Sequence, residues 1–278
     1  MNANDIRDDV RSRYGAIAQG ADSSCCVPAT PSASSCCAPA TPNASSCCGG
    51  ATAPEAAELA RRMGYGEDDL NAVGDGANLG LGCGNPQAIA DMRPGEVVVD
   101  LGSGAGFDCF LAARQVGETG HVIGVDMTVE MLNKARHNAG KLGLANVDFR
   151  LGEIEHLPIA DGTADVIISN CVVNLSPDKP AVLREAFRVL KPGGRVAVSD
   201  VVMLKPFTPE IAARKDLYSC CVGGAAGIDD LSHWLAEAGF VDIRIDAKPE
   251  SRDLIREWAP GLGVEDFIAS ANIQARKP

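Results

Sequence analysis

Apolar positions along the chain fall into two kinds of run that alternate. Short, nearly continuous blocks come first in each pair: VVVDL at 97–101, HVIGVD at 121–126, VDFR at 147–150, ADVIISN at 164–170 and RVAVSDVV at 195–202. Blocks of this length, rich in Val and Ile, suit strands buried on both faces of a parallel sheet. Between them lie segments with helical spacing: FDCFLAAR from Phe107, a helix from Thr128 ending near Gly143, and DKPAVLREAFRVL at 178–190, stopped by Pro192 and Gly193-Gly194. Upstream, 1–20 reads as a short amphipathic helix with Arg7, Arg11, Arg13 and Tyr14, 54–63 as a helix closed by Gly64, and PQAIADM as a short helix before Pro94-Gly95. Strands alternating with helices predict βαβ units, with right-handed crossovers placing helices on both faces. Beyond residue 204 the rhythm breaks: DLYSCCVGGAAG precedes a helix (DDLSHWLAEAGF), and VDIRIDA and FIASANIQARK are predicted to add an antiparallel edge.

This predicts an α/β fold: a doubly wound, mostly parallel, Rossmann-like sheet with an antiparallel C-terminal edge. Residues 23–53 are of another kind. An eleven-residue unit occurs three times, SSCCVPATPSA, SSCCAPATPNA and SSCCGGATAPE. Ser, Ala, Pro and Thr cannot build a core, so a flexible tether is expected. The three divisions are then 1–53 (helix and Cys-rich tether), 54–204 (main domain) and 205–278 (a small substrate-binding appendage completing the sheet). The net charge of −12 argues against a nucleic-acid partner, which would need Lys and Arg for phosphates. The N-terminus lacks a signal-peptide core, and no apolar run reaches the about 18 residues of a membrane helix. A cytoplasmic protein without membrane attachment is expected, its 11 cysteines mostly reduced and available for metal or redox chemistry.

The strand ends carry the candidate chemistry, because ligands of open parallel sheets bind off the carboxyl ends of the strands. The first ends in Asp100 and continues Gly102-Ser103-Gly104-Ala105-Gly106, where glycine lets a ligand lie on bare backbone. The spacing G-x-G-x-G differs from the dinucleotide G-x-G-x-x-G. The second strand ends in Asp126 and Met127, the acid 20 residues after Gly106 and able to accept from both ribose hydroxyls. The third leads to Glu153 and Ile154, suited to the edge and face of an adenine. The fourth ends in Ser169, Asn170 and Cys171. Over about residues 85–200 this set resembles the class I S-adenosylmethionine-dependent methyltransferases, through VVVDLGSGAG, GVDM, LGEIEHLP and LKPGG. The resemblance implies that Gly102, Gly104 and Gly106 approach the methionine moiety, Asp126 holds the ribose, and Met127 and Ile154 flank adenine; Asp100, Ser103, Glu153 and Asn170 complete the expected cofactor set. Asn170-Cys171-Val172-Val173 stands where the DNA-methylating branch has Asn/Asp-Pro-Pro-aromatic.

Sulfur supplies a second pattern. Cys83, in the loop GDGANLGLGCGNP, Cys171 at the fourth strand end and Cys221 in the appendage lie outside both tether and regular helices. Cys109, inside a helix, is read as a buried small apolar side chain. The chain has no C-x-x-C, which makes a zinc ribbon a poor reading. Three sulfurs from distant segments above a methyl donor suit a soft three-coordinate centre such as As(III), whose lone pair can attack a methyl group. GANLGLGCGNP, SNCVVNLSPDKP and CVGGA, with the early YG and SSCC, closely resemble arsenite methyltransferases. The resemblance implies that Cys83, Cys171 and Cys221 bind the arsenic, Cys221 rather than Cys220 because it stands directly before Val-Gly-Gly-Ala. It also implies an N-terminal cysteine from an SSCC pair; the pair is triplicated, and Cys48, nearest the domain, is the candidate. The expected substrate is arsenite or its thiol conjugate, with a thiol reductant (thioredoxin or glutathione) as co-substrate and a monomer as the working form. No general base is needed, which agrees with the few histidines, none of which (His121, His137, His156, His233) ends the fourth strand. Three alternatives stay open: a methyltransferase for an organic small molecule, a metalloid-binding protein without turnover, and a nicotinamide oxidoreductase, the last disfavoured by the glycine spacing.

Overall fold

The computed structural model of the chain describes residues 2–20, 52–74 and 76–278. The repeated SSCC units, and Cys48 with them, lie outside these residues. In chain order the helices before the sheet are α1 (Ala3–Ala18), α2 (Ala53–Met63), α3 (Glu67–Val73) and α4 (Gln87–Ala90). The alternating region holds β1 (Val97–Leu101), α5 (Phe107–Val116), β2 (His121–Asp126), α6 (Val129–Leu142), β3 (Val147–Leu151), β4 (Ala164–Asn170), α7 (Lys179–Val189) and β5 (Leu190–Met203). The rest of the chain adds α8 (Pro209–Ala212), β6 (Ala226–Gly227), α9 (Ile228–Ala238), β7 (Val241–Lys248), α10 (Arg252–Trp258) and β8 (Ile268–Arg276). The sheet order is β3-β2-β1-β4-β5-β8-β7, with β6 beside β5. β3 through β5 run parallel, and β8 and β7 are antiparallel, as the sequence predicts.

Local chemistry sets the boundaries. Glu55 accepts the Thr52 amide at 2.9 Å to start α2, and Gly64 ends that helix at φ 100°, a left-handed turn that glycine adopts without steric cost. α6 likewise ends on Gly143. Neighbouring residues of one strand enter opposite layers: Val98 belongs to the apolar cluster holding Phe110 and Leu132, Val99 to the one holding Leu183 and Leu235. The sheet is therefore buried on both faces, which is why β1 and β4 read as nearly continuous apolar runs. One boundary differs from expectation. Pro192 and Gly193-Gly194 do not separate α7 from its strand; β5 begins at Leu190 and carries them within it. Gly193 and Lys277 exchange chain contacts here, the Gly193 amide donating to the Lys277 carbonyl at 2.9 Å and the Lys277 amide to Gly194 at 2.8 Å. Pairing with the C-terminal segment thus recruits residues that in isolation signal a turn.

Candidate active site

The carboxyl ends of β1, β2 and β4 open into one cleft, about 1370 Å³ of empty space with its mouth included. Asp100, Gly102, Ser103, Gly104, Asp126, Met127, Ile154 and Asn170 all line it. The turn after β1 is drawn against β2, the amides of Gly102 and Ser103 donating to the Val125 carbonyl at 2.8 and 3.0 Å. Gly102, Gly104 and Gly106 are all left-handed. At Gly102 a Cβ would meet Val172 at 2.4 Å and at Gly106 the Phe110 ring at 2.5 Å, whereas at Gly104 the nearest atom is Met131 Sδ at 4.0 Å. Gly102 and Gly106 are therefore needed for packing, and Gly104 leaves bare backbone facing open space. Asp126 is oriented by two amides, Gly104 to Oδ2 at 2.9 Å and Thr128 to Oδ1 at 2.8 Å. Each carboxylate oxygen keeps a further acceptor position for a diol, and Met127 and Ile154 provide apolar walls beside it. These features fit a nucleoside-bearing cofactor. Glu153 faces elsewhere, pairing with Arg7 at 3.3 Å and Arg11 at 3.4 Å, and Glu155 rather than Glu153 reaches the cleft wall.

α1 roofs the cleft through Arg7, Val10 and Tyr14, held by Arg7 to Glu155 at 3.2 Å. The helix is legible in its apolar spacing, whereas its packing over the cleft is a tertiary property. On the floor, Tyr65 donates to Asp108 at 2.8 Å. Burial first, and Asp108 beside it second, hold the Asp100 carboxyl well above the usual carboxylate range.

The sulfurs gather on the β4 and β5 side, Cys171 and Cys221 lining the same cleft and Cys83 buried next to Cys171 without lining it. Cys171 follows β4 directly at φ 59°, and Cys221 follows a 3₁₀ turn at φ 61°. Left-handed backbone at two β-unbranched non-glycine residues costs on the order of 1–2 kcal/mol each, and such outliers concentrate at functional sites. The Cys221 thiol donates to the Cys171 carbonyl at 2.8 Å. Cys83 Sγ, Cys171 Sγ and a carboxylate oxygen of Asp200 lie within 4.8 Å of one another. All three cysteines are buried. Burial pushes the Cys83 thiol up to about 11, and the Cys171 contact together with burial pushes Cys221 well up, so the group rests as neutral thiols. Cys220 points to another partner, accepting from Arg13 Nη1 at 3.1 Å, while Cys109 sits in α5 against Asp100 at 3.2 Å. Asp200 was not among the predicted site residues, although a strand residue of the same type had been read at Asp126. It is 1% exposed, accepts from Asn174 Nδ2 at 2.8 Å and the Val201 amide at 2.7 Å, and burial raises its carboxyl to about 6.

Residues 92–239 match a family described as a methyltransferase domain, more than half of the chain. This chain belongs to the methyltransferase-domain family. Within that family it is similar to the arsenite methyltransferase of Halobacterium salinarum, 55% identical over 222 residues, covering 80% of this chain and 57% of the relative. It is similar also to the human arsenite methyltransferase, 42% identical over 157 residues, covering 53% of this chain and 42% of the relative. The chain spans about half the length of the curated relatives it matches. Among solved structures it resembles an arsenic(III) S-adenosylmethionine methyltransferase from Chlamydomonas reinhardtii, with a TM-score of 0.58 at 33% identity, covering 79% of this chain and 71% of that one. Cys171 and Cys221 line the same cleft as Gly104 and Asp126. No helix among the described residues is long and apolar enough to cross a membrane.

Proposed function

We propose that this chain transfers methyl groups from S-adenosylmethionine to trivalent arsenic held by the thiolates of Cys83, Cys171 and Cys221. One observation carries the reading: three buried cysteines from separate segments lie together beside a cleft whose features fit a nucleoside cofactor. S-adenosylmethionine supplies an electrophilic methyl group on a sulfonium. Gly104 and Asp126 hold the nucleoside end, and Met127 and Ile154 flank its ring. Each cysteine thiol gives its proton to an oxygen leaving arsenite as water, or to the departing thiolate of a thiol conjugate. The exchange needs no separate base, and the high-lying thiols are no obstacle to it. The protein's main contribution is then orientation of the arsenic lone pair toward the methyl carbon, worth roughly 7–11 kcal/mol when the geometry is near attack. Methylation converts As(III) formally to As(V); a thiol reductant, glutathione or a thioredoxin, returns two electrons and leaves as a disulfide. A cysteine of the tether, Cys48 by its nearness to the domain, takes part in delivery. We place the activity in a cytoplasmic monomer.

A methyltransferase for an organic acceptor is the second reading, favoured by a relative of that kind: a ubiquinone/menaquinone biosynthesis C-methyltransferase from Haemophilus ducreyi is 34% identical over 190 residues. Full-length protein given methyl-labelled S-adenosylmethionine, a thiol and either arsenite or a quinol separates the two. Label in methylated arsenic supports the first reading; label in the quinol alone, or in neither, refutes it.

A further inference from the structure

Asn170 precedes Cys171 in the chain, yet its side chain is committed to the other cysteine loop. Its Oδ1 accepts the Cys83 amide at 3.0 Å, and its Nδ2 donates to the Gly84 carbonyl at 2.8 Å. The same nitrogen faces the Tyr65 hydroxyl at 3.1 Å and Asp108 Oδ2 at 3.5 Å, both on the cofactor side of the cleft. A carboxamide carries one acceptor and two donor hydrogens on a short stem. It can therefore bracket Cys83 by the amide before its Cα and the carbonyl one residue on, and still reach Tyr65. A carboxylate lacks the donors, and an apolar side chain lacks both.

The glycines on either side make room for this. A Cβ on Gly82 would lie 2.8 Å from Asn170 Oδ1, and one on Gly84 2.9 Å from Ser199 Cβ. The run Gly82-Cys83-Gly84 thus lies against the paired Asn170 of β4 and Ser199 of β5, with glycine on either side of the cysteine. The Cys83 sulfur itself makes a long contact to the Ser199 carbonyl, 3.7 Å, and lies beside Cys171 and Asp200. We infer that Asn170 is a positioning residue that latches the Cys83 loop to the end of β4, fixing the Cys83 sulfur beside Cys171 and tying the acceptor thiols to the Tyr65–Asp108 wall of the donor pocket. The inference rests on the arsenite reading above for its role in turnover, and on the geometry alone for the latch.

The test compares full-length wild type, Asn170→Ala and Gly82→Ala, the last disturbing the latch without removing the amide. Arsenite titration and arsenic X-ray absorption report affinity and sulfur count. S-adenosylhomocysteine calorimetry serves as the control for folding and for the donor pocket. In both variants arsenite affinity is expected to fall about tenfold or more, the scale of a lost buried hydrogen-bond pair. The sulfur count should drop from three to two, and in Gly82→Ala S-adenosylhomocysteine affinity should change less than about threefold. Cys83 alkylation, followed by mass spectrometry without arsenic, should quicken about tenfold. Wild type that binds no arsenite overturns the arsenite reading, and the alkylation rate then decides the latch alone. Unchanged Cys83 alkylation with three sulfurs retained overturns the latch. A loss of S-adenosylhomocysteine affinity that matches the loss for arsenite overturns it too, because Asn170 would then be a cofactor ligand. Should Asn170→Ala fail to fold, Gly82→Ala decides.

Discussion

The β1–β2 end of the cleft and its β4–β5 end use the same backbone conformation with different residues. At the first, Gly102, Gly104 and Gly106 are left-handed at little cost, and the Asp126 carboxylate is set by neighbouring amides. At the second, Cys171 and Cys221 are left-handed although their Cβ atoms disfavour it, and the buried thiols come from three segments far apart in sequence. One end is a local motif that folds with its strand; the other is an assembly that exists only when the whole sheet and the appendage have formed. Strain retained at cysteine, where glycine would be easier, marks a place kept for its sulfur.

Breaking one end should leave the other intact. Cys171→Ser should lower arsenite methylation by at least about 10²-fold through lost positioning, with S-adenosylhomocysteine affinity by calorimetry unchanged. Asp126→Ala should do the reverse, weakening S-adenosylmethionine binding about 10- to 100-fold, the cost of removing a charged acceptor and orphaning the Gly104 and Thr128 amides, while arsenite titration stays at the wild-type value. The charge held at the sulfur end should show in stability. Asp200 lies near 6 in the fold against an ordinary 3.8, so the cost of its burial is absent below 3.8 and complete above 6. Asp200→Asn avoids that ionisation; denaturant unfolding should therefore move in the variant's favour, relative to wild type, by about 2 kcal/mol between pH 4 and pH 7. The smallest effect tests the backbone itself. At Cys221, Gly should be more stable than Ala by about 1 kcal/mol, whereas at Cys109, inside α5, Ala should be more stable than Gly by about the same amount. Thermal melts of the four variants would show whether the order reverses.

The same contrast explains how much the sequence disclosed. β2 and β4 coincide with HVIGVD and ADVIISN, and the antiparallel edge follows from where the helical rhythm stops, because strand and helix periods are local properties. Asp126, Met127 and Ile154 were legible since each stands at or just after a strand end. Glu153 was read by the same rule but turns to Arg7 and Arg11, partners that come from a helix more than a hundred residues upstream. The roof formed by α1, the Tyr65–Asp108–Asn170 chain and the Arg13–Cys220 contact depend on tertiary packing and leave no pattern in the sequence. Asp200 did leave one, VSD within a strand, but β5 continues past it to Met203, so it is not a strand end. Cys83 and Cys171 stand out together because both lie in loops outside the tether and the regular helices, but spacing across 88 positions specifies no distance between them.

The central claim is that the three thiols hold arsenic against the methyl donor. Anomalous diffraction at the arsenic edge from crystals of the full chain with arsenite and S-adenosylhomocysteine would locate that atom. A single dominant peak is expected, bonded to the Cys83, Cys171 and Cys221 sulfurs and open toward the homocysteine sulfur. Arsenic bound elsewhere, or held by these cysteines but screened from the cofactor, would contradict it.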